Sequence, residues 1–277
     1  MSTKTRRGFS LIELLVTIGL IALLIGILLP ALAGSRQSAQ RLVALSNARS
    51  TSQAFELYLG QNNGSYPYAT PVESESPLGG LSNFVVFRWY PEGTIIANSD
   101  LFSVEWGWPS LLASVTPWNE AYQTWTSPGL GLELPSEGRD WQDQLQSLGL
   151  NEGQPFSQFS ETISWRLSNN FTADPAVWNP SANTPADESL VRGVTRSEVA
   201  YPASKVLFWD THLAWMRNRP ELVDGHWAAP TPMAFADGHA EALLPQDARM
   251  PVTNRLRTQR APKAFRDTES GVRGVDY

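Results

Sequence analysis

The sequence predicts an α+β fold in which one long amino-terminal helix packs on a small antiparallel β-sheet with loop-rich insertions. Residues 9–29 form an apolar run with a single charge, and apolar residues then recur every three or four positions as far as Tyr58. The rest of the chain is rich in Pro, Gly, Ser and Trp and contains only short strand patterns. At 277 residues the chain can bury one substantial core beside this helix.

Composition excludes several classes of function. The chain contains no cysteine, so disulfides, thiolate metal ligands and cysteine catalysis are unavailable. Its formal net charge is −6, and nothing in the charge pattern indicates a nucleic-acid partner. Basic residues outnumber acidic ones by seven to three within 249–277, which we predict to be a basic, flexible tail.

The apolar run predicts a membrane anchor. Residues 9–29 number 21, and at ~1.5 Å per residue they span the roughly 30 Å of bilayer hydrocarbon. Lys4, Arg6 and Arg7 precede the run with no acidic residue among them, so the positive-inside rule predicts a cytoplasmic amino terminus. We therefore expect a single-pass protein of the inner membrane, with its carboxy-terminal domain in the periplasm or outside the cell.

A secretory signal is an alternative explanation of this run. Ala31-Leu32-Ala33 is a small-residue pattern typical of signal cleavage, which would leave Gly34 as the first residue of a secreted protein. The run exceeds the ~7–15 apolar residues of such a signal, however, and Glu13 lies near its start. An ionised carboxylate costs about 2.5–3.5 kcal/mol at the bilayer centre, less near the interface, so Glu13 is predicted to be functional and to need a cation.

A family resemblance accounts for this acid. The processing site of type IV prepilins and type II secretion pseudopilins is similar to the run Arg7-Gly8-Phe9-Ser10-Leu11-Ile12-Glu13-Leu14-Leu15-Val16. The resemblance implies that a membrane-embedded aspartyl prepilin peptidase cuts after Gly8 and methylates the new amino terminus at Phe9. Glu13 would be the fifth mature residue, where the family's glutamate pairs with the α-amine of a neighbouring subunit. The implied fold is a pilin-like form of the α+β class.

Domain boundaries follow from the helix pattern. Pro30 matches the family's proline near the membrane exit and predicts a helix kink, although an ordinary break of the helix at the interface explains it equally well. We divide the chain into a leader at 1–8, a transmembrane helix at 9–32, its amphipathic continuation at 33–64, a globular β-rich domain at 65–248 and the basic tail at 249–277.

The continuation of the helix is predicted to bury one stripe of residues. This stripe holds Ala39, Leu42, Leu45, Ala48, Phe55 and Tyr58, with a gap at Thr51 and Ser52. Turn residues at 60–64 predict where the helix ends. One helix of about fifty residues, roughly 75 Å long, would then connect the membrane and the domain.

The middle of the chain shows only short patterns. Strands are predicted at 83–90, 94–97, 162–167 and 205–209, and a short helix at 141–148. All eleven tryptophans lie between Trp89 and Trp227. They favour either a carbohydrate-binding surface or, as the preferred interpretation, large apolar anchors in a loop-rich core, where each ring buries about 150–250 Å².

The triplet Asp-Gly-His occurs twice, at Asp224 and again at Asp237. Apolar residues around the second copy predict a hairpin, because Asp-Gly favours tight turns. A prepilin subfamily frequent in planctomycete-type bacteria has a similar carboxy-terminal motif, in which a histidine precedes Asp-Gly. The matching positions are His226, Asp237 and Gly238, with ten intervening residues where the subfamily usually has nine. The segment that ends at Asp210 resembles the strand before that motif.

Asp210 and Asp237 are candidate calcium ligands. Ca²⁺ takes about six to eight oxygens, and some pseudopilins that this chain resembles hold calcium in a carboxy-terminal loop. The three histidines lack zinc-ligand spacing, and no Gly-x-Ser-x-Gly elbow occurs. We therefore predict no catalytic residue and, calcium aside, no cofactor.

The function that the resemblance implies is that of a structural subunit in a type II secretion or type IV pilus filament. The expected partners are the prepilin peptidase, other pilin or pseudopilin subunits and the inner membrane. A membrane-tethered or secreted carbohydrate- or ligand-binding module is the alternative.

Overall fold

Over the residues that the structure describes, the protein has one long helix and two antiparallel sheets. The computed structural model describes residues 11–68, 71–72, 84–89, 93–96, 105, 108, 112, 115–116, 122–129, 164–182, 184–216, 228–256 and 262–277. Helix α1 is Leu11–Gln61. The strands are β1 Pro71–Val72, β2 Phe84–Trp89, β3 Gly93–Ile96, β4 Trp165–Leu167, β5 Val206–Asp210, β6 Thr231–Phe235 and β7 Ala240–Leu243. The predicted α+β pilin-like fold is confirmed.

Helix α1 is continuous over 51 residues, which at ~1.5 Å each extend over roughly 77 Å. It ends where the turn residues predicted. Asn63 and Gly64 adopt left-handed φ angles of 54° and 74°, and the Gly64 N–H donates to the Leu59 carbonyl at 2.8 Å. Left-handed residues end helices in this way because the reversed chain satisfies the last free carbonyls.

The second half of α1 packs on the domain. Its buried residues are Ala44, Ala48, Thr51, Ser52, Ala54, Phe55 and Leu59. The predicted stripe is correct at Ala48 and Phe55 but wrong at Leu42, which is 67 % exposed. Leu42 lies six residues before Ala48. At about 100° per residue, this places the two side chains roughly 120° apart around the helix, so Leu42 lies off the buried face.

The polar gap in the stripe is also buried. Thr51 and Ser52 are 1 % and 2 % exposed, although their side chains interrupted the apolar pattern. The Ser52 hydroxyl donates to the Ala48 carbonyl at 3.0 Å, which satisfies the hydroxyl within its own helix. The small Ser52 side chain can therefore lie on the buried face of the helix with its hydroxyl satisfied.

The larger sheet has the order β4-β5-β6-β7, with every neighbouring pair antiparallel. Its strands β4 and β5 correspond to the predictions at 162–167 and 205–209, and β6 with β7 forms the predicted hairpin around Asp237. The predictions at 83–90 and 94–97 correspond to β2 and β3, which pair with β1 in a separate sheet. The predicted helix at 141–148 lies outside the described residues.

A bulge in β5 distributes its side chains between two cores. The ladder with β6 shifts register between Val206 and Phe208, so Leu207 is the extra residue. Leu207 and Phe208 both join the core beneath α1. Val206 and Trp209 join a second core on the opposite face of the sheet.

Both faces of the central strands β5 and β6 are buried. On the α1 face, the Phe55 ring centroid lies 5.5 Å from that of Trp108 and 5.7 Å from that of Phe208. On the opposite face, the ring centroids of Trp209 and Phe265 are 5.5 Å apart. The sheet is thus enclosed between α1 and the segment 262–277.

The segment 249–277 differs from the flexible tail that its charge predicted. Among its described residues, Phe265, Val272 and Asp276 are at most 3 % exposed. Some of its charges have partners elsewhere in the domain, as in the 2.8 Å ion pair between Arg266 and the buried Glu105. The physical reason is the second face of the sheet, which needs an apolar cover that this segment supplies.

The tryptophans are core anchors wherever the structure describes their side chains. Trp108, Trp125 and Trp165, together with Trp178, Trp209 and Trp215, are all at most 8 % exposed. A sugar-binding platform requires an exposed ring face. These six rings therefore do not provide one.

Replacing Phe55 with Ala tests the junction between α1 and the sheet. We expect Phe55→Ala to lower the free energy of unfolding by about 3–5 kcal/mol, because the lost ring leaves a cavity in the core. Urea unfolding of the full chain in detergent, followed by tryptophan fluorescence, measures this change. Leu57→Ala is the matched control, since Leu57 is 58 % exposed on the same helix and should change the value by under ~1 kcal/mol. Equal losses in both variants would contradict the packing role of Phe55.

Candidate functional site

The first half of α1 presents an uncovered apolar surface. Residues 11–36 are all exposed, and their large apolar side chains are between 48 % and 86 % exposed. A Cβ built at Gly19 or Gly26 would meet nothing within 4 Å. The helix is long and apolar enough to cross a membrane. Lipid, or other apolar helices within lipid, would remove this surface from water.

Glu13 lies in the first turn of α1 as the structure describes it. The positive end of a helix dipole favours a carboxylate at this position. The cleavage-site positions Gly8 and Phe9 lie outside the described residues. One turn further on, the Thr17 hydroxyl donates to the Leu14 carbonyl at 2.8 Å, so this polar group is satisfied without leaving the helix.

Pro30 lies inside α1, which continues through it without interruption. The helix is therefore not broken at this point. Proline has no N–H to donate to the Gly26 carbonyl one turn earlier, which weakens the helical ladder. Nearby, the Ser35 hydroxyl donates to the Ala31 carbonyl at 3.1 Å. A kink at Pro30 stays a prediction.

The second Asp-Gly-His triplet forms the turn between β6 and β7. Gly238 has a φ of 91°, and its N–H donates to the Phe235 carbonyl at 2.9 Å. Asp237 Oδ1 accepts from the His239 N–H at 3.0 Å and lies 2.5 Å from His239 Nδ1. The His239 ring stacks on Phe235 with centroids 4.2 Å apart. Each residue of the triplet thus has a role in the hairpin, and His226 lies outside the described residues.

Asp210 is buried at the carboxy-terminal end of β5. It accepts hydrogen bonds from the Ser127 hydroxyl at 2.7 Å and from the His212 and Leu213 N–H groups at 2.9 and 3.2 Å. Asp210 pairs across the sheet with Trp165, whereas Asp237 follows the end of β6 that pairs with Val206. The strand length therefore separates the two carboxylates.

Calcium binding stays a prediction. Among the described residues, no group of three or more His, Asp or Glu side chains is placed to hold a metal ion. The hydrogen bonds to Asp210 are those of a carboxylate that fixes a chain reversal after a strand.

A network of ion pairs that the sequence did not predict joins α1 to the loop before β5. Arg192 contacts Asp174 at 2.9 Å and Glu198 at 2.6 Å, and Arg196 contacts Glu56 of α1 at 2.6 Å. Thr195 and Glu198 form a capping box, a signal that the spacing Thr-x-x-Glu would have revealed. The distant partners in this network have no such local signature.

Taken together, these features define a membrane-anchored protein with an exposed apolar helix and a small α+β domain. The family model described as the prokaryotic N-terminal methylation motif matches residues 3–29. The amino-terminal segment of the chain is therefore similar to that of type IV pilin- and pseudopilin-like proteins. No curated protein and no solved structure matches it significantly. The carboxy-terminal motif and the planctomycete-type subfamily stay predictions.

The ion-pair network predicts a pH-dependent contribution to stability. Hydrogen bonds from Arg192, aided by the Thr195 N–H, lower the pKa of Glu198 from 4.5 to about 2. Because the folded-state pKa is depressed, the stabilisation is complete above the unfolded-state pKa and is lost as pH falls through about 2.

We expect Glu198→Gln to lower the free energy of unfolding by about 1 kcal/mol at neutral pH, since a partly exposed network is screened by solvent. The difference from the unmodified protein should shrink towards zero by pH ~2. Chemical unfolding across this pH range measures it, with Glu269→Gln as a control at an exposed site. A difference that stays constant with pH would contradict the ion-pair explanation.

Proposed function

We propose that the chain is made as a prepilin, cleaved after Gly8 by a prepilin peptidase and N-methylated at Phe9. It then serves as a subunit of a type II secretion pseudopilus or type IV pilus. The observation that carries this proposal is the coincidence of the matched methylation motif at 3–29 with a helix half whose apolar residues are all exposed. A helix built only to complete the domain core would be buried along its length.

The chemistry of the first residues supports assembly through Glu13. Cleavage after Gly8 would create an α-ammonium at Phe9, four residues before the Glu13 carboxylate. Each charge is costly in hydrocarbon, and the cost falls when opposite charges pair. Pairing between the amine of one subunit and Glu13 of its neighbour would therefore stabilise lateral assembly.

The two halves of α1 would divide the work of the subunit. Residues 11–32 would lie in the inner membrane before assembly and in the apolar centre of the filament afterwards. The second half holds the domain through its buried face. With the basic residues before the helix on the cytoplasmic side, the domain would lie in the periplasm or outside the cell and decorate the filament.

Mass spectrometry of the amino-terminal peptide from native cells tests the processing step. We expect the mature chain to begin with N-methylated Phe9. A chain that begins at Gly34 would indicate a secretory signal and a secreted protein. An intact Met1 or Ser2 would leave only a membrane-tethered domain. Either result would overturn the proposal.

Replacing Glu13 with Val tests assembly. We expect Glu13→Val to insert into the membrane normally but to enter filaments about tenfold less or worse. The α-ammonium at Phe9 of the neighbouring subunit would then lack its partner, and an uncompensated charge in lipid costs about 2.5–3.5 kcal/mol. Quantitative blotting of sheared filaments against membrane fractions measures this ratio. Thr17→Val, one turn along the helix, is the matched control and should assemble normally. Normal assembly of Glu13→Val would remove the proposed role of Glu13.

A further inference from the structure

Lys205 is a primary amine enclosed in the protein interior beside a carboxylate. The Lys205 side chain is 0 % exposed and that of Asp276 is 2 % exposed, and Nζ lies 3.3 Å from Oδ1 of Asp276. Lys205 directly precedes β5, whereas Asp276 belongs to the segment 262–277, which covers the face of the sheet opposite α1. Two reactive groups, far apart in sequence, are thus held together away from water.

The Asp276 carboxylate is fixed by further donors. The Val206 N–H donates to Oδ2 at 2.8 Å, and the Thr268 hydroxyl donates to Oδ1. Thr268 is held in turn by the Asn170 side-chain amide at 2.9 Å. The main chain is also fixed, since the Asp276 N–H donates to the Ser204 carbonyl at 3.0 Å. The carboxylate therefore has little freedom to leave the amine.

This environment favours the neutral amine, which is the nucleophilic form of lysine. Burial lowers the pKa of Lys205, and the neighbouring Asp276 charge opposes that shift only in part. Removal of two charges from water is costly even when they pair. A buried lysine with a lowered pKa is a common basis for covalent chemistry in proteins.

We propose that Lys205 and Asp276 condense to form an intramolecular amide bond. The lysine ammonium gives one proton to Oδ1, which leaves an amine beside a carboxylic acid. Nζ then attacks Cγ and forms the C–N bond, while the resulting oxyanion on Oδ2 is held by the Val206 N–H. A second proton passes from nitrogen to Oδ1, with the Thr268 hydroxyl beside it as a relay. The C–Oδ1 bond breaks, and one water leaves.

The product replaces a buried ion pair with a neutral amide and needs no oxidant, metal or cofactor. It would join the start of β5 to the segment 262–277 and so attach that segment covalently to the sheet. The chain has no cysteine, so a disulfide cannot provide this link. The inference concerns the domain core alone, and its outcome does not depend on the proposed filament role.

The peptide map of the full chain gives a direct test. The chain contains three lysines, Lys4, Lys205 and Lys263, so few peptides linked through a lysine side chain are possible. After trypsin digestion of the full chain purified from native cells, we expect peptide 197–217 joined to the peptide that begins at Gly274. Its mass should equal the sum of the two peptides minus one water, and fragmentation should place the link at Lys205 and Asp276. Cleavage after Lys205, with the two products and the Gly274 peptide recovered free as the main species, would overturn the proposal.

Variants assign the bond to these two side chains. Lys205→Arg keeps the positive charge but should abolish the linked peptide, whereas Lys263→Arg should leave it unchanged. A linked peptide that persists in Lys205→Arg would overturn the assignment. The map of the unmodified chain remains decisive if Lys205→Arg fails to fold, because it requires no substitution.

Discussion

The contact between Phe55 and the β5–β6 face is the interaction on which the architecture depends. Phe55 joins a helix that otherwise extends away from the domain to a sheet whose centre is Phe208, and Trp108 closes the cluster. An aromatic ring buries roughly 150–250 Å², and at about 25 cal/mol per Å² each such ring contributes several kcal/mol. The exposed Arg196–Glu56 pair adds at most ~1 kcal/mol. Apolar packing, not the ion pairs, therefore holds the domain on the helix.

Both faces of β5 and β6 are buried, so the face opposite α1 also needs an apolar cover. A sheet covered on one side by a helix would expose Val206, Trp209 and Met233 on the other. The segment 262–277 prevents this by packing Phe265 against Trp209 and stacking Tyr277 on Phe265, with ring centroids 5.8 Å apart. The same segment carries charged groups into the interior. The cover is thus polar enough to require specific partners, which fixes one arrangement of the segment.

The sequence predicted the parts of the structure that depend on local patterns. The long helix follows from an apolar run and its periodic continuation, the end of α1 from Asn63-Gly64, and the hairpin from Asp237-Gly238. The amino-terminal methylation motif is likewise a contiguous run, and the family model matches it at 3–29. In each case the physical cause lies within a few residues of the signal.

The errors arose where the cause is distant in sequence. Leu42 fits an apolar stripe, but the surface that receives the stripe decides which residues it buries. The basic composition of 249–277 predicted a flexible tail, since nothing local shows that Arg266 meets Glu105 or that Phe265 meets Trp209. Burial of Lys205 is a result of the same kind, because its partner Asp276 lies 71 residues away. A sequence pattern shows the charge of such groups but not the side chains that compensate it.

The two halves of α1 lie in different environments, and their side chains differ accordingly. Apart from Glu13 and Thr17, residues 11–32 are apolar around the whole circumference, as lipid or a bundle of similar helices requires. After residue 36 the circumference divides, with small and aromatic side chains such as Ala44, Ala48 and Phe55 on the domain face and charged ones elsewhere. Force applied to the anchored half would reach the sheet through this face. The segment 262–277 covers the face of the sheet opposite α1. A covalent bond between Lys205 and Asp276 would therefore lie on that side of the sheet, away from the helix. There it would resist separation of this segment from the sheet, while the junction between α1 and the sheet would still depend on the non-covalent packing around Phe55.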